Sequence, residues 1–184
     1  MGTVKSLLLG MCFVLGACTS QTSTVQTTEK GTQWEWQNGT IVVKTPERPE
    51  GQKSVLGLTT PKLEAVRVGF VGLGMRGPGA VERFTYIPGT QVVALCDYEE
   101  ARADKCQELL KKASMPKAAV YSGDKGYEEL CKRDDIDLVY IAADWLHHFP
   151  VAKCALENGK NVAIEVPSAM NLQECWDLIN LSES

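Results

Sequence analysis

Gly72-Leu73-Gly74-Met75-Arg76-Gly77 follows directly on the apolar run Val66-Arg67-Val68-Gly69-Phe70-Val71, and Asp97 stands twenty residues after the last glycine. These residue types at this spacing suit the grip on a dinucleotide. Gly72 permits a sharp turn, Gly74 removes a Cβ that would block a pyrophosphate, and Gly77 lets a helix pack closely on the preceding strand. The N-terminus of that helix offers unpaired N–H groups and a partial positive charge to phosphate oxygens. Asp97 can accept hydrogen bonds from a ribose diol and would repel a 2′-phosphate, which favours NAD over NADP. Arg76, on the turn itself, could soften that preference. A glycine-rich turn alone is weak evidence, since many bind nothing. The strand before it, the helix after it and the spaced acid make it specific.

The elements that would position these groups follow from the apolar pattern. From Val66 onward, short apolar strands alternate with amphipathic helices. After a second strand, Gln91 to Cys96, comes a helix around Glu99 to Ala113, with Arg102, Cys106, Leu109, Leu110 and Ala113 at helical spacing. A third strand at Ala119 to Tyr121 leads to a helix around Tyr127 to Lys132, and a fourth strand covers Leu138 to Ala142. The next helix is expected to start near Pro150, a residue suited to a first turn, and to stop before Gly159. Val162 to Ile164 form a fifth strand. A last helix begins at Asn171, with Glu174 as its capping-box partner. Continuous apolar strands between such helices mean a parallel sheet covered on both faces: an α/β, Rossmann-like, doubly wound domain over residues 63–184. Ligands of such sheets lie at the carboxyl ends of the strands. There the chain places Gly72 to Gly77, Asp97, Ala143 to His148 and Glu165-Val166-Pro167. A complete domain of this kind usually has six strands and a separate substrate domain. The expectation is therefore a C-terminally truncated dinucleotide domain, with one sheet edge unpaired.

The front of the chain reads differently. Lys5, the apolar run Leu7 to Leu15 and the small residues before Cys18 make an export leader over residues 1–17, too short to span a membrane. Leu15-Gly16-Ala17-Cys18 has the pattern of a bacterial lipobox, so Cys18 is the expected lipid attachment site; an ordinary leader with an incidental cysteine is the other reading. Thr19 after the cysteine points to the outer membrane, and the protein is then anchored rather than inserted. Residues 18–62 are expected to be tether and linker. Residues 19–32, rich in Thr, Ser and Gln, lack apolar periodicity. Ile41-Val42-Val43 could make a short strand, Pro46, Pro49 and Pro61 punctuate the connection, and Trp34 with Trp36 is expected to pack against the domain surface, a binding platform being the other reading.

Composition narrows the classes further. The formal charge is −4, or −5 once Lys5 leaves with the leader, and no basic stripe marks nucleic-acid binding. Of seven cysteines, Cys96, Cys106, Cys131, Cys154 and Cys175 lie beyond the leader and anchor. Their odd number and wide spacing argue against a disulfide framework, and no Cys/His spacing suits zinc. Small buried hydrophobes are the default reading.

The strand-end motifs resemble the Gfo/Idh/MocA superfamily of NAD(P)-dependent sugar oxidoreductases. Members typically carry Glu-Lys-Pro after the fifth strand, where the lysine moves a proton during alcohol oxidation. Here the tripeptide is Glu165-Val166-Pro167, and valine has no proton to give. Three runs, Val68 to Ala80, Asp144-Trp145-Leu146-His147-His148 and Ala163 to Ala169, are more closely similar to glycoside hydrolase family 109, NAD-dependent α-N-acetylgalactosaminidases often exported by bacteria. That resemblance implies NAD contacts from Met75, Arg76, Asp97, Trp145, Leu146, His147, His148, Glu165 and Val166. It also implies a reaction without net redox. Hydride leaves C3 of the sugar, the acidified C2 proton is lost, the C1 substituent is expelled, water adds and the hydride returns. The acid–base residues of the family lie in the substrate-binding part, so no catalytic residue is assigned here.

Plainer roles stay open for several of these residues. His147 and His148 could merely cap a helix, Trp145 could be a core aromatic, and Glu165 could be a solvent-facing turn acid. Three functions are therefore in play: an exported exo-glycosidase acting on α-linked N-acetylgalactosamine, a sugar oxidoreductase of the same superfamily, and a non-catalytic, lipid-anchored nucleotide-binding module. A carbohydrate is the expected substrate and a membrane the expected partner through lipid only. A homo-oligomer is compatible with all three.

Overall fold

A computed structural model describes residues 25–27 and 33–184. The leader and Cys18 lie outside the described residues. Two sheets are present. The first is antiparallel, with β1 (Gln26–Thr27), β2 (Gln33–Gln37) and β3 (Thr40–Val43) in that order. The second contains β4 (Val66–Val71), β5 (Thr90–Asp97), β6 (Ala119–Ser122), β7 (Leu138–Ile141) and β8 (Asn161–Ile164), all parallel, in the order β6-β5-β4-β7-β8. The helices are α1 (Gly77–Thr85), α2 (Glu100–Lys112), α3 (Gly126–Cys131), α4 (Trp145–Glu157) and α5 (Leu172–Glu183).

This strand order is the doubly wound plan that the alternating pattern predicts. The chain steps from β4 to β5 to β6 on one side, then crosses back to add β7 and β8 on the other. Helices α1 and α2 therefore cover one face and α3 and α4 the opposite one. Their apolar stripes build two cores. Val68, Phe70, Leu95, Ala80, Val81, Cys106 and Leu110 fill the first. Val71, Ala94, Val139, Ile141, Leu130, Val151 and Ala155 fill the second. Alternation along β4 and β7 sends successive side chains to opposite cores. In β5 a register shift opposite Val68 and Gly69 interrupts the alternation, so that Val92 and Leu95 reach the same core. In the first core Phe70, Phe84 and Tyr140 pack ring against ring, with centroids 5.2–5.5 Å apart.

The strand starts are tied by charge. Asp137 accepts from Arg67 N at 2.8 Å, Nε at 2.9 Å and Nη2 at 2.6 Å. The hydrogen bond from Arg67 holds the Asp137 carboxyl below its ordinary pKa despite partial burial. Arg133 makes a similar fork to Asp135 at 2.7 and 2.5 Å.

Two expectations need correction. The helix expected to begin near Pro150 begins at Trp145, because the Asp144 carboxylate accepts the Leu146 N–H at 2.9 Å and caps it. Pro150 then lies inside the helix. The short strand expected at Ile41-Val42-Val43 is β3, and the β2–β3 turn uses Asn38 and Gly39 with positive φ. Asn-Gly supplies the two left-handed residues of a tight hairpin, in which Trp34 stands opposite Val43 and Trp36 opposite Ile41. Within it Trp34 and Trp36 meet edge to face at 6.4 Å, and Trp36 stays 56 % exposed instead of being covered by the domain. The linker proper is also held. Gln52 donates to Asn180 O at 2.9 Å, Lys53 N donates to Glu183 O at 3.2 Å, and Arg48 pairs with Glu183. At the far edge of the parallel sheet, β8 pairs with β7 alone among the described residues.

Candidate functional site

The crossing point of the parallel sheet leaves a cleft where the strands end, and the glycine turn forms its floor. Gly72 has φ +89°, and a Cβ there would lie within 2.5 Å of the Ala142 carbonyl carbon. Glycine is thus required twice: for a left-handed backbone and for close approach to the loop after β7. Gly77 opens α1 so near the Gly72 peptide that a Cβ would meet it at 2.9 Å or less. Around Gly74 only Arg102 Nη1 comes within 4 Å, at 3.4 Å, so the space above it is open. No carboxylate occupies the first turn of α1 and Pro78 stands near its start, which leaves the remaining first-turn N–H groups for an anion.

A cavity of about 900 Å³ lies over this turn, within the size range of cofactor sites. Gly72, Gly74, Met75, Arg76, Asp97, Trp145, His147, His148, Glu165 and Val166 all line it. Two residues from the sequence reading do not. Gly77 supports the turn from below. Leu146 is 73 % exposed and points elsewhere, because the helix starting at Trp145 turns successive side chains by about 100°.

Asp97 ends β5 and is only 5 % exposed. Its Oδ2 accepts the Leu73 N–H at 2.6 Å and its Oδ1 the Glu99 N–H at 3.0 Å, with Arg102 Nη1 3.5 Å away. The carboxylate thus braces the glycine turn and keeps lone pairs for a hydroxyl. At the opposite end of the cavity, Glu165 accepts from the Tyr140 hydroxyl at 2.7 Å.

The histidines are set by their neighbours. His147 Nδ1 lies 2.6 Å from Asp144 Oδ2. Burial alone would raise the Asp144 carboxyl; hydrogen bonds from His147 and the Leu146 N–H outweigh that and hold it below its ordinary value. His148 is buried, with Nδ1 2.7 Å from the Pro167 carbonyl. A carbonyl only accepts, so Nδ1 carries a proton. Nε2 is itself buried with no partner among the described residues. Helix capping, the plainer role open to both, belongs to Asp144.

Several lining residues escaped the sequence reading. Tyr98 and Arg102 flank Asp97, while Gly123, Asp124 and Tyr127 follow β6. The rule that ligands meet strand ends pointed to the β6 end as well. Cys96 also lines the cavity, but burial, with Asp97 next to it, pushes its thiol up to about 12, so it is no nucleophile at neutral pH. Cys106 and Cys131 are buried as expected, Cys154 partly so, and Cys175 is exposed. No group of three His, Cys, Asp or Glu side chains among the described residues could hold a metal ion. No described helix is long and apolar enough to cross a membrane.

Comparison with known proteins agrees with this geometry. Glycosyl hydrolase family 109 protein 5 of Phocaeicola vulgatus is 80 % identical over the whole chain, and protein 4 of the same organism is 78 % identical. The chain spans 36 % of the length of each. Among solved structures, myo-inositol dehydrogenase from Lactobacillus casei in complex with NAD(H) and myo-inositol is 25 % identical with a TM-score of 0.56. The match covers 64 % of this chain and 33 % of that one. The family model "Oxidoreductase family, NAD-binding Rossmann fold" matches residues 66–184, from the first residue of β4 onward. The chain therefore belongs to the Gfo/Idh/MocA oxidoreductase family and carries its NAD-binding Rossmann domain.

Proposed function

We propose that this chain is the NAD-holding part of an exported glycosidase that removes terminal α-linked N-acetylgalactosamine. The observation that carries the reading is the cleft: a glycine turn over a free helix N-terminus, flanked by a carboxylate at each end, in a chain whose near relatives bear the glycosyl hydrolase family 109 name. The turn and α1 hold the diphosphate. Asp97 takes the diol of the adenosine ribose, and its negative charge, only partly offset by Arg102, disfavours a 2′-phosphate. Met75, Arg76 and Trp145 wall the cavity, and Glu165 and His148, which also line it, would face the second nucleoside. NAD bound there supplies a reversible hydride acceptor, which lets a C1 substituent leave without net oxidation of the sugar. Val166 stands where the sugar oxidoreductases carry a lysine, so this part of the protein has no amine to move a proton for net alcohol oxidation. Catalytic acid–base groups then come from outside the cavity described here.

The leader over residues 1–17 and the lipobox cysteine Cys18 support placement on a bacterial membrane through lipid, with the outer membrane favoured by Thr19. A cofactor regenerated in each cycle needs capture only once, which suits a compartment poor in NAD. The test uses the complete protein with an aryl α-N-acetylgalactosaminide. Release of the aryl group without accumulation of reduced cofactor supports the glycosidase. Stoichiometric build-up of NADH makes the protein a dehydrogenase, and neither signal in a protein that binds NAD makes it a binding module.

A further inference from the structure

Glu165 is the charged member of its tripeptide, and its carboxylate sits at a sheet edge after a four-residue strand, where little holds a side chain still. The structure gives it one neutral anchor. Tyr140, on β7, donates its hydroxyl hydrogen to Glu165 Oε1 at 2.7 Å. The phenol ring cannot swing, because Phe70 and Phe84 pack against it at centroid distances of 5.3 and 5.5 Å. Burial and Glu165 raise the Tyr140 pKa, while Arg83, on α1, pulls it down. A hydroxyl has one hydrogen to give, and Tyr140 gives it to Glu165.

We propose that Tyr140, held by Phe70 and Phe84, is a positioning residue that fixes the Glu165 carboxylate so that its second oxygen accepts from the ribose diol at the nicotinamide end of the bound dinucleotide. This rests on the reading of the cleft as an NAD site. Asp97, which ends β5, is the carboxylate assigned to the adenosine end of the cavity. A dinucleotide lying across the glycine turn brings its other diol to the end of β8, where Glu165 stands. Asp97 is aimed by backbone N–H groups of its own neighbourhood. Glu165 is aimed by a side chain from the adjacent strand.

The experiment is a double-mutant cycle on the complete, nucleotide-stripped protein, with NAD affinity read by calorimetry for wild type, Tyr140→Phe, Glu165→Gln and the double variant. Tyr140→Phe keeps the aromatic cluster and is expected to weaken NAD binding about tenfold, the scale of one lost hydrogen bond to a charged group. With Glu165→Gln already present, the same change is expected to cost nothing further. Additive losses would overturn the proposal, since they would place Tyr140 outside the action of Glu165. If Tyr140→Phe fails to fold, Arg83→Met in the same cycle reads the coupling through the charge that acts on Tyr140, with additivity again decisive. Absence of NAD binding by the wild type overturns both the cofactor reading and this proposal, whereas wild-type binding with additive variants overturns this proposal alone.

Discussion

The two ends of the parallel sheet use charge in opposite ways. Where the strands begin, Arg67 and Asp137 lock β4 to the start of β7 with three hydrogen bonds, Arg133 and Asp135 make a second fork, and Asn161 binds the Asp137 carbonyl at 3.0 Å. These donors and acceptors find each other. Where the strands end, Asp97 and Glu165 line an open cavity, His148 Nε2 is buried without a partner among the described residues, and Met75, Trp145 and Val166 are exposed apolar side chains. The difference shows how a symmetric scaffold divides its labour. One end is closed by its own residues and contributes stability, while the other keeps a cavity open at the strand ends, where ligands of such sheets bind.

The sharpest way to break this contrast is at Gly72. Gly72→Ala forces a Cβ into the Ala142 backbone at a left-handed φ, so a loss of more than about 3 kcal/mol in chemical denaturation is expected, together with loss of NAD binding. Asp97→Asn comes next. It removes the charge while keeping the shape, and is expected to weaken NAD about tenfold or more in calorimetry and to narrow the preference over NADP. Asp137→Asn addresses the other end. The melting temperature should fall by a few degrees while NAD affinity stays unchanged. Its pH dependence has a definite sign. The Asp137 pKa is lowered by folding, so its contribution is complete above the unfolded carboxylate pKa and disappears as pH falls through the folded value. In the variant, that part of the acid dependence of melting should be missing. The smallest effect belongs to Val166→Lys. The position is 84 % exposed, so stability should move by no more than about 0.5 kcal/mol. Its NADH output with sugar substrates tests whether valine is what withholds dehydrogenase behaviour.

Much of this was legible from residue types alone. The parallel strands show as unbroken apolar runs because both of their faces are buried, and the glycine turn shows because only glycine tolerates its φ and its close approach. What stayed hidden depends on single side chains acting at a distance or on a local cap. Pro150 suggested a helix start, yet the Asp144 carboxylate caps a helix that begins five residues earlier, at Trp145. Arg102 falls on the helical stripe of α2, but its long side chain carries the guanidinium to Asp97 and the cavity. The hairpin at residues 33–43 showed half of itself: Ile41 to Val43 read as a strand, while the alternating Trp34 and Trp36 strand and the Asn38-Gly39 turn that pairs the two did not. The Tyr140–Glu165 bond joins positions that no spacing rule connects.

The Gly72 contact also dictates an order of assembly. Its α-carbon lies against the Ala142–Ala143 backbone, which arrives much later in the chain, so the phosphate-cradling loop gets its shape only after β7 has docked beside β4. During synthesis, a ribosome-bound chain that has exposed the whole glycine motif but not yet β7 would have nothing to offer a nucleotide. Nucleotide capture would therefore report completed crossover of the sheet, not emergence of the motif.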